Sequence, residues 1–139
     1  MAKRFTREEI KQRFQASIDA GQPIVVASAG IGIAAKFAER GGADMIGLFN
    51  SSYLGLGRVE ATSLMPYGNA NDIVMSLGDR IFPVVQNTTI LGGIIGSDPT
   101  REMTPFLKIM QFKGFPAVIN FPSPGFAYGQ HRRNLERNN

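Results

Sequence analysis

The pattern that decides the fold of this chain is IVVASAGIGIAAKFAERGG, residues 24–42. An apolar run, Ile24–Ala27, leads into a glycine-rich corner, a helix-forming segment follows, and two glycines end it. Apolar strand and polar corner recur in the same order at Met45–Phe49, Ile90–Ile95 and Ala117–Phe121. None of the four runs alternates polar and apolar residues, as a strand wetted on one face does. All four are therefore predicted to be parallel strands buried on both faces.

The spacing of these units predicts half of a (β/α)8 barrel. Each unit takes about 29 residues, close to the roughly 31 residues per unit of a barrel with about 250 residues. Before the first strand, residues 6–20 place apolar side chains at near-helical spacing, and Thr6 and Glu9 have the spacing of a capping box. We therefore expect one α/β domain over residues 1–139, with about four parallel strands preceded by an N-terminal amphipathic helix.

Composition argues against several classes of protein. The formal net charge of +4 comes largely from the two ends of the chain, and no basic stripe with interleaved aromatic residues runs through the middle, so nucleic-acid binding is not expected. The sequence contains no cysteine, which rules out thiolate chemistry and fits a reducing compartment. No apolar stretch approaches the roughly 20 residues of a membrane span. We expect a cytoplasmic protein without a membrane partner.

The corners after the strands are where a function is expected, because ligand chemistry in parallel α/β folds gathers at the carboxyl ends of strands. Gly30, Gly32 and Ala35 form a G-x-G-x-x-A pattern between a strand and a helix. Three interpretations stay open: a dinucleotide fingerprint, a nest of backbone N–H groups for a carboxylate or phosphate, and a tight turn. A dinucleotide site would place an acidic residue after the second strand, where this chain has Phe49 and Asn50.

Polar side chains follow the other strands. Asp98, where the third strand ends, could hold Mg²⁺ or act as a base, or it could cap the helix that Asp98 and Pro99 are expected to open. Asn50, Ser51 and Asn120 supply neutral hydrogen-bonding groups. Asn120 is notable because an amide inside an apolar strand needs a buried partner or a ligand.

A further corner, residues 66–72, offers the phenol of Tyr67 together with two amides and a carboxylate. These groups could orient a small polar ligand, or they could serve the turn and cap the next helix. No nucleophile elbow, Walker loop, zinc spacing or Ser-His-Asp set occurs in the sequence. The candidate site is therefore polar and largely uncharged, which suits an anionic small molecule held by backbone amides.

Taken together and in this order, the corner motifs resemble the phosphoenolpyruvate hydrolase-like TIM-barrel family, which is related in fold to phosphoenolpyruvate mutase and isocitrate lyase. The runs that carry the resemblance are AGIG (29–32), AKFAE (35–39), GGAD (41–44), NS (50–51), LMPYGNAN (64–71), GSDP (96–99) and NFP (120–122). The resemblance covers nearly the whole chain. It implies the first half of a TIM barrel that binds a small phosphorylated or carboxylated keto acid at the strand ends.

The resemblance also implies roles for individual residues. Gly30 and Gly32 would supply backbone amides to the anion, and Asp98 would hold Mg²⁺ or take a proton. The orienting groups would be those of Asn50, Ser51, Tyr67 and Asn120. The chemistry would be that of a hydrolase or lyase, cleaving a C–C, C–O or P–O bond next to an enolate.

Two questions stay open from the sequence. The scarcity of acid and base groups also fits a non-catalytic metabolite-sensing or protein-interaction module. The family's barrel is roughly twice as long as this chain, given about 250 residues for eight strands. The chain is therefore either a piece of a longer barrel or one of two copies that pair to restore eight strands. Since open sheet edges and apolar inner faces favour association, we expect a homo-oligomer.

Overall fold

The computed structural model describes residues 3–52, 69–121, 128–130 and 133. Helices and strands follow one another in the order that the sequence predicts. They are α1 (Arg7–Asp19), β1 (Val26–Ser28), α2 (Gly32–Arg40), β2 (Met45–Leu48), α3 (Ala70–Ile81), β3 (Thr89–Ile94), α4 (Met103–Lys113) and β4 (Ala117–Asn120). A short 3-10 helix, Asn50–Ser52, follows β2.

The four strands form one parallel sheet in the order β1-β2-β3-β4. The register pairs Ala27 with Ile46, Ile46 with Ile90, and Gly92 with Val118. Because crossovers between parallel strands are right-handed, strands added in this order place α2, α3 and α4 on the same face of the sheet. This is the arrangement of half a (β/α)8 barrel, and it confirms the predicted fold class.

The hydrophobic core lies between the sheet and these three helices. Ile46 and Leu48 of β2 and Ile90 and Ile94 of β3 point to this side, and all four are buried. They share one cluster with Val74, Leu77 and Ile81 of α3 and with Phe106 and Met110 of α4. The close approach of α4 requires a glycine in β3, since a Cβ at Gly92 would lie 2.8 Å from Cε of Met110.

The opposite face of the sheet carries aromatic rings over glycines. A Cβ at Gly47 would lie 2.5 Å from Cε2 of Phe49, and a Cβ at Gly93 would collide with the same ring. The rings of Phe49 and Phe121 meet edge to face, with centroids 5.0 Å apart. These glycines let the ring of Phe49 lie flat against the sheet on the side that faces the inside of a barrel.

Burial of the strands departs from the prediction in one respect. Every residue of β2 and β3 is buried, as expected. In β1 and β4 most residues are exposed, so the expectation that all four strands are buried on both faces was wrong. The reason is position, because β1 and β4 form the two edges of the sheet and each has one neighbouring strand.

Helix α1 lies at the amino-terminal edge of the sheet. Its capping box is formed as predicted: Oγ1 of Thr6 accepts from N of Glu9 at 3.2 Å, and Oε2 of Glu9 accepts from N of Thr6 at 2.7 Å. Nη1 of Arg13 donates to the carbonyl oxygen of Asn87 at 3.0 Å, in the segment that enters β3. The carboxyl ends of the strands are at the other edge.

Helix α2 also contacts the segment that enters β3. The Glu39 carboxylate accepts hydrogen bonds from the backbone N–H groups of Gln86 at 3.0 Å and Asn87 at 2.6 Å. Burial acts to raise the pKa of Glu39, but these bonds and those from Thr88 outweigh it, so the pKa is lowered. Within the part of the chain that the structure describes, no helix combines the length and apolar character needed to cross a bilayer.

Candidate functional site

Predicted site residues end or follow each of the four strands, along the carboxyl-terminal edge of the sheet. Gly30 follows β1, Asn50 and Ser51 form the 3-10 helix after β2, Asp98 lies in the turn after β3, and Asn120 ends β4. Because all four strands are parallel, their carboxyl ends share this edge. Gly32 begins α2 just after Gly30, and Tyr67, the other predicted site residue, lies outside the described residues.

Two hydrogen bonds connect neighbouring strand ends at this edge. Oγ of Ser28, the last residue of β1, shares a hydrogen bond of 2.5 Å with Oγ of Ser52, after β2. Oδ1 of Asn120 accepts from N of Gly96 at 3.0 Å, which joins the ends of β4 and β3. Asn120 is exposed, although its place in an apolar run predicted a buried amide. Its side chain nevertheless has a hydrogen-bond partner, Gly96.

The glycine-rich corner leads directly into α2. Gly30 is buried, and Gly32 is the first residue of the helix. The N-cap residue is Ile31, whose side chain forms no capping hydrogen bond, whereas Thr6 and Asn69 cap α1 and α3 through side-chain oxygens. A Cβ at Gly32 would lie 3.3 Å from Cγ2 of Val84. Gly32 thus also serves the close packing of α2 against the segment before β3.

The carboxylate of Asp98 accepts five hydrogen bonds from described residues at this edge. Oδ1 accepts from N and Oγ1 of Thr100, at 2.9 and 2.6 Å. Oδ2 accepts from Nδ2 of Asn71 at 2.9 Å, from Nδ2 of Asn69 at 3.1 Å and from Nε of Arg101 at 2.7 Å. Both oxygens therefore already have several donors.

These contacts decide the ionisation of Asp98. Burial acts to raise the pKa of this carboxyl and is the largest single influence, but the hydrogen bonds from Thr100, Asn69 and Arg101 together outweigh it. The pKa consequently lies well below its usual range. Asp98 is ionised at neutral pH, and a carboxylate with so low a pKa is a weak base there.

Arg101 is the cation of this cluster. Besides its bond to Asp98, Nη2 of Arg101 lies 2.9 Å from Oδ1 of Asp72, in the first turn of α3. Its guanidinium also lies 5.0 Å from the ring centroid of Phe106. Burial acts to lower the pKa of Arg101, but the two carboxylates outweigh it and raise the pKa. The side chain thus ties the turn after β3 to the start of α3.

Asn71 connects the cluster to β3. It is completely buried, and Oδ1 accepts from N of Ile95 at 2.8 Å, while Nδ2 donates to the carbonyl oxygen of Ile95 at 3.2 Å. The amide pairs with both backbone groups of the residue that follows the strand. Of the two amides in the corner at residues 66–72, Asn69 is the one that caps α3, since its Oδ1 accepts from N of Asn71 and N of Asp72.

The prediction that Asp98 and Pro99 open a helix was wrong. Helix α4 begins at Met103, with Glu102 as its N-cap. Oδ1 of Asp98 instead accepts a hydrogen bond from the backbone N–H of Thr100. Aspartate side chains commonly form such turns with the backbone two residues further on. The sequence did not identify Arg101 as part of the site, although its place three residues after Asp98 was the available signal.

Magnesium does not fit well at Asp98 as this cluster stands. Mg²⁺ demands nearly octahedral oxygen coordination, whereas both oxygens of Asp98 accept hydrogen bonds and the nearest charged neighbour is a guanidinium. Among the described ranges, no three His, Cys, Asp or Glu side chains gather as a metal site would need. Mg²⁺ at Asp98 stays a prediction.

Comparison with known sequences identifies the family. A profile of the phosphoenolpyruvate hydrolase-like family matches residues 9–139. The chain belongs to the phosphoenolpyruvate hydrolase-like family. This membership confirms the resemblance seen in the corner motifs.

Two relatives of this phosphoenolpyruvate hydrolase-like chain come from Solanum lycopersicum. The ToMV resistance protein Tm-1(GCR237) is 42% identical over 131 residues, which cover 94% of this chain and 17% of the relative. The ToMV susceptible protein tm-1(GCR26) is 42% identical over 128 residues, which cover 91% of this chain and 17% of the relative. The chain thus spans about a sixth of the length of these curated relatives.

Proposed function

We propose that this member of the phosphoenolpyruvate hydrolase-like family binds a small phosphorylated or carboxylated keto acid at the carboxyl-terminal edge of its sheet. The observation that carries the proposal is the gathering of hydrogen-bonding groups from four parallel strand ends along one edge. The choice of a keto acid follows from the family. The anionic character of the ligand follows from the chemistry of the edge, where neutral amides, hydroxyls and backbone N–H groups predominate.

Each predicted residue has a role in this proposal. Gly30 and Gly32 flank the start of α2, where backbone N–H groups and the helix dipole favour an anion. The absence of a side-chain cap at Ile31 supports this role, because no side-chain oxygen of that residue competes for these N–H groups. Asn50, Ser51 and Asn120 orient the ligand through side-chain hydrogen bonds. Tyr67 is proposed as a further orienting group on the strength of the family motif.

The proposal has two forms. In the catalytic form, the protein is a hydrolase or lyase in which Asp98 accepts a proton. A second form is a metabolite-sensing or interaction module that binds the acid without altering it. The hydrogen bonds to both oxygens of Asp98 favour this second form, because an efficient general base has a pKa near the working pH and an accessible lone pair.

Calorimetric titration with phosphoenolpyruvate, pyruvate and oxaloacetate, each with and without Mg²⁺, tests the binding. We expect the dissociation constant to rise at least about tenfold in Asn120→Ala, a loss of about 1.4 kcal/mol. Gln111→Ala serves as the control, since it removes an exposed amide from α4 at a distance from the strand ends in the fold. If none of the three acids binds, or if both variants behave alike, the proposed site is wrong.

Mass spectrometry after long incubation separates the two forms. An enzyme converts the bound acid to product, whereas a sensing module returns it unchanged. If product forms, Asp98→Asn tests the proton acceptor. An undiminished rate in that variant would remove Asp98 from the chemistry while leaving the binding site in place.

A further inference from the structure

An aromatic pair lies just below the strand ends, on the face of the sheet opposite α2, α3 and α4. Phe49 directly follows β2, and its ring turns back over Gly47 of β2 and Gly93 of β3. Its edge-to-face partner is Phe121, which directly follows β4. Both rings are only partly buried. They therefore form an aromatic surface from β2 to β4, at the depth where the proposed site begins.

Two glycines in the central strands make room for the ring of Phe49. Glycine weakens the interior of a strand, and it often marks a place where another group approaches closely. Cε2 and Cζ of Phe49 would lie 2.5 and 2.9 Å from a Cβ at Gly47, and Cε1 would lie 2.8 Å from a Cβ at Gly93. Since all these contacts are made by β2, β3 and the residue after β2, the height of the ring above the sheet is set by the described strands themselves.

The β1 side of the same face is polar. Val26 of β1 lies on this face, because its Cγ1 is 3.4 Å from the position of a Cβ on Gly47. Ser28, two residues further along β1, faces the same way. Its Oγ shares the hydrogen bond of 2.5 Å with Oγ of Ser52. This face thus has hydroxyl groups next to the β1 corner and the aromatic surface beside them.

We propose that Phe49 is the floor of the keto-acid site and limits the length of the carbon chain that the site accepts. This inference rests on the proposed function, since it concerns the same strand ends. The anionic group of the acid lies at the β1 corner, where the N-terminus of α2 and the two serine hydroxyls supply hydrogen-bond donors. The carbon chain lies over the ring of Phe49. Because the ring fills the space above both glycines, short acids fit and longer, branched acids do not.

Calorimetric titration with pyruvate and α-ketoisocaproate tests this limit. The two acids share the keto-acid group, and α-ketoisocaproate carries an added isopropyl group. The unsubstituted chain should bind pyruvate at least about tenfold more tightly, since a single methylene that fits a pocket badly has an effect of this size. Phe49→Ala opens the space above Gly47 and Gly93. In this variant the preference should reverse, with α-ketoisocaproate bound at least about tenfold more tightly than pyruvate.

Refilling the opened space should restore part of the original preference. In the Phe49→Ala background, Gly47→Ala places a methyl group where Cε2 and Cζ of the ring lay. It should weaken binding of α-ketoisocaproate about fourfold, the effect of one methylene group, and leave pyruvate binding nearly unchanged. Phe49→Leu keeps a smaller apolar side chain, so its preference should fall between those of the unsubstituted chain and Phe49→Ala. It also provides the test if Phe49→Ala does not fold, which circular dichroism shows.

Phe112→Ala is the matched control, because Phe112 is 83% exposed near the end of α4. It should leave the ratio of the two affinities unchanged. A purely structural role of Phe49 would weaken the binding of both acids alike, without changing this ratio.

Two negative results have different meanings. If a short acid binds the unsubstituted chain but α-ketoisocaproate gains no affinity relative to it in Phe49→Ala and Phe49→Leu, the role of Phe49 is wrong while the keto-acid site stands. If phosphoenolpyruvate, pyruvate and α-ketoisocaproate all fail to bind the unsubstituted chain, the proposed function is wrong and the role of Phe49 falls with it.

Discussion

Nδ2 of Asn71 donates a hydrogen bond to Oδ2 of Asp98 over 2.9 Å, and both residues are buried. The same amide pairs with N and O of Ile95 through bonds of 2.8 and 3.2 Å. One side chain therefore fixes the start of α3 to the end of β3 and to the turn that follows it. The geometry of the carboxyl-terminal edge depends on this connection, because a single buried amide reaches all three segments at once.

Replacing Asn71 by alanine should destabilise the fold. The substitution removes the acceptor of N of Ile95 and one of the donors to Oδ2 of Asp98, and a buried unsatisfied group costs about 1–3 kcal/mol. Urea unfolding followed by circular dichroism measures the change in the free energy of unfolding. Asn87→Ala, at an exposed amide, should change it by less than about 0.5 kcal/mol. Equal effects in the two variants would show that the buried amide contributes no special stability.

Asp98 should make the fold sensitive to acid. Its pKa is lower in the folded chain than in the unfolded chain, where a free aspartate has a pKa of about 3.9. Between these values the unfolded chain binds more protons, so stability rises with pH in that window. The contribution of Asp98 is thus complete above about pH 4 and is lost as the pH falls through its folded pKa.

Unfolding free energies between about pH 2 and pH 7 check this expectation. Asp98→Asn should be less stable than the unsubstituted chain at pH 7, and the two should converge as the pH falls. Asp19→Asn removes the same charge from the exposed end of α1 and should preserve the acid sensitivity. If the curve of Asp98→Asn runs parallel to that of the unsubstituted chain, Asp98 does not carry this pH dependence.

The fold could be predicted because its signals are local. Apolar runs, glycine corners and the Thr6–Glu9 capping box each act within a few residues. Together they indicated the four α-helices and four strands of the described residues, but not the 3-10 helix Asn50–Ser52. Strand β1 begins at Val26, two residues after the start of the predicted run at Ile24. A hydrogen bond from Val25 to the side chain of Asp44 accounts for the later start. Oδ2 of Asp44 accepts from N of Val25 at 2.8 Å, so a side chain takes the place of a strand partner at this residue.

The candidate site could be predicted only in part, because its contacts are not local. The topology placed Gly30, Asn50, Ser51, Asp98 and Asn120 along one edge, as the parallel pattern indicates. The partners of Asp98 on α3 are 27 and 29 residues away in sequence. Pairs at such separations follow from how α3 packs on β3, which the sequence pattern alone does not specify.

Gly47 should be intolerant of a side chain because of Phe49. A Cβ at Gly47 would lie 2.5 and 2.9 Å from Cε2 and Cζ of that ring, and overpacking of this kind costs about 1–3 kcal/mol. Gly47→Ala should therefore lower the free energy of unfolding by this amount. In a Phe49→Ala background, the same substitution should cost less than about 0.5 kcal/mol, since the obstructing ring is gone. Additive effects in this double-mutant cycle would mean that the ring moves aside freely.

Thr6→Ala should destabilise α1 without affecting the carboxyl-terminal edge of the sheet. The substitution removes the oxygen that accepts from N of Glu9, and loss of such a cap costs about 1 kcal/mol. Thr104→Ala, at an exposed position in the first turn of α4, should leave the melting temperature nearly unchanged.

The affinity of Thr6→Ala for a keto acid should equal that of the unsubstituted chain at temperatures where both are folded. The reason is that α1 contacts the segment that enters β3, at the edge opposite the strand ends. A variant that keeps its stability but loses ligand affinity would contradict both the role of the cap and the placement of the site.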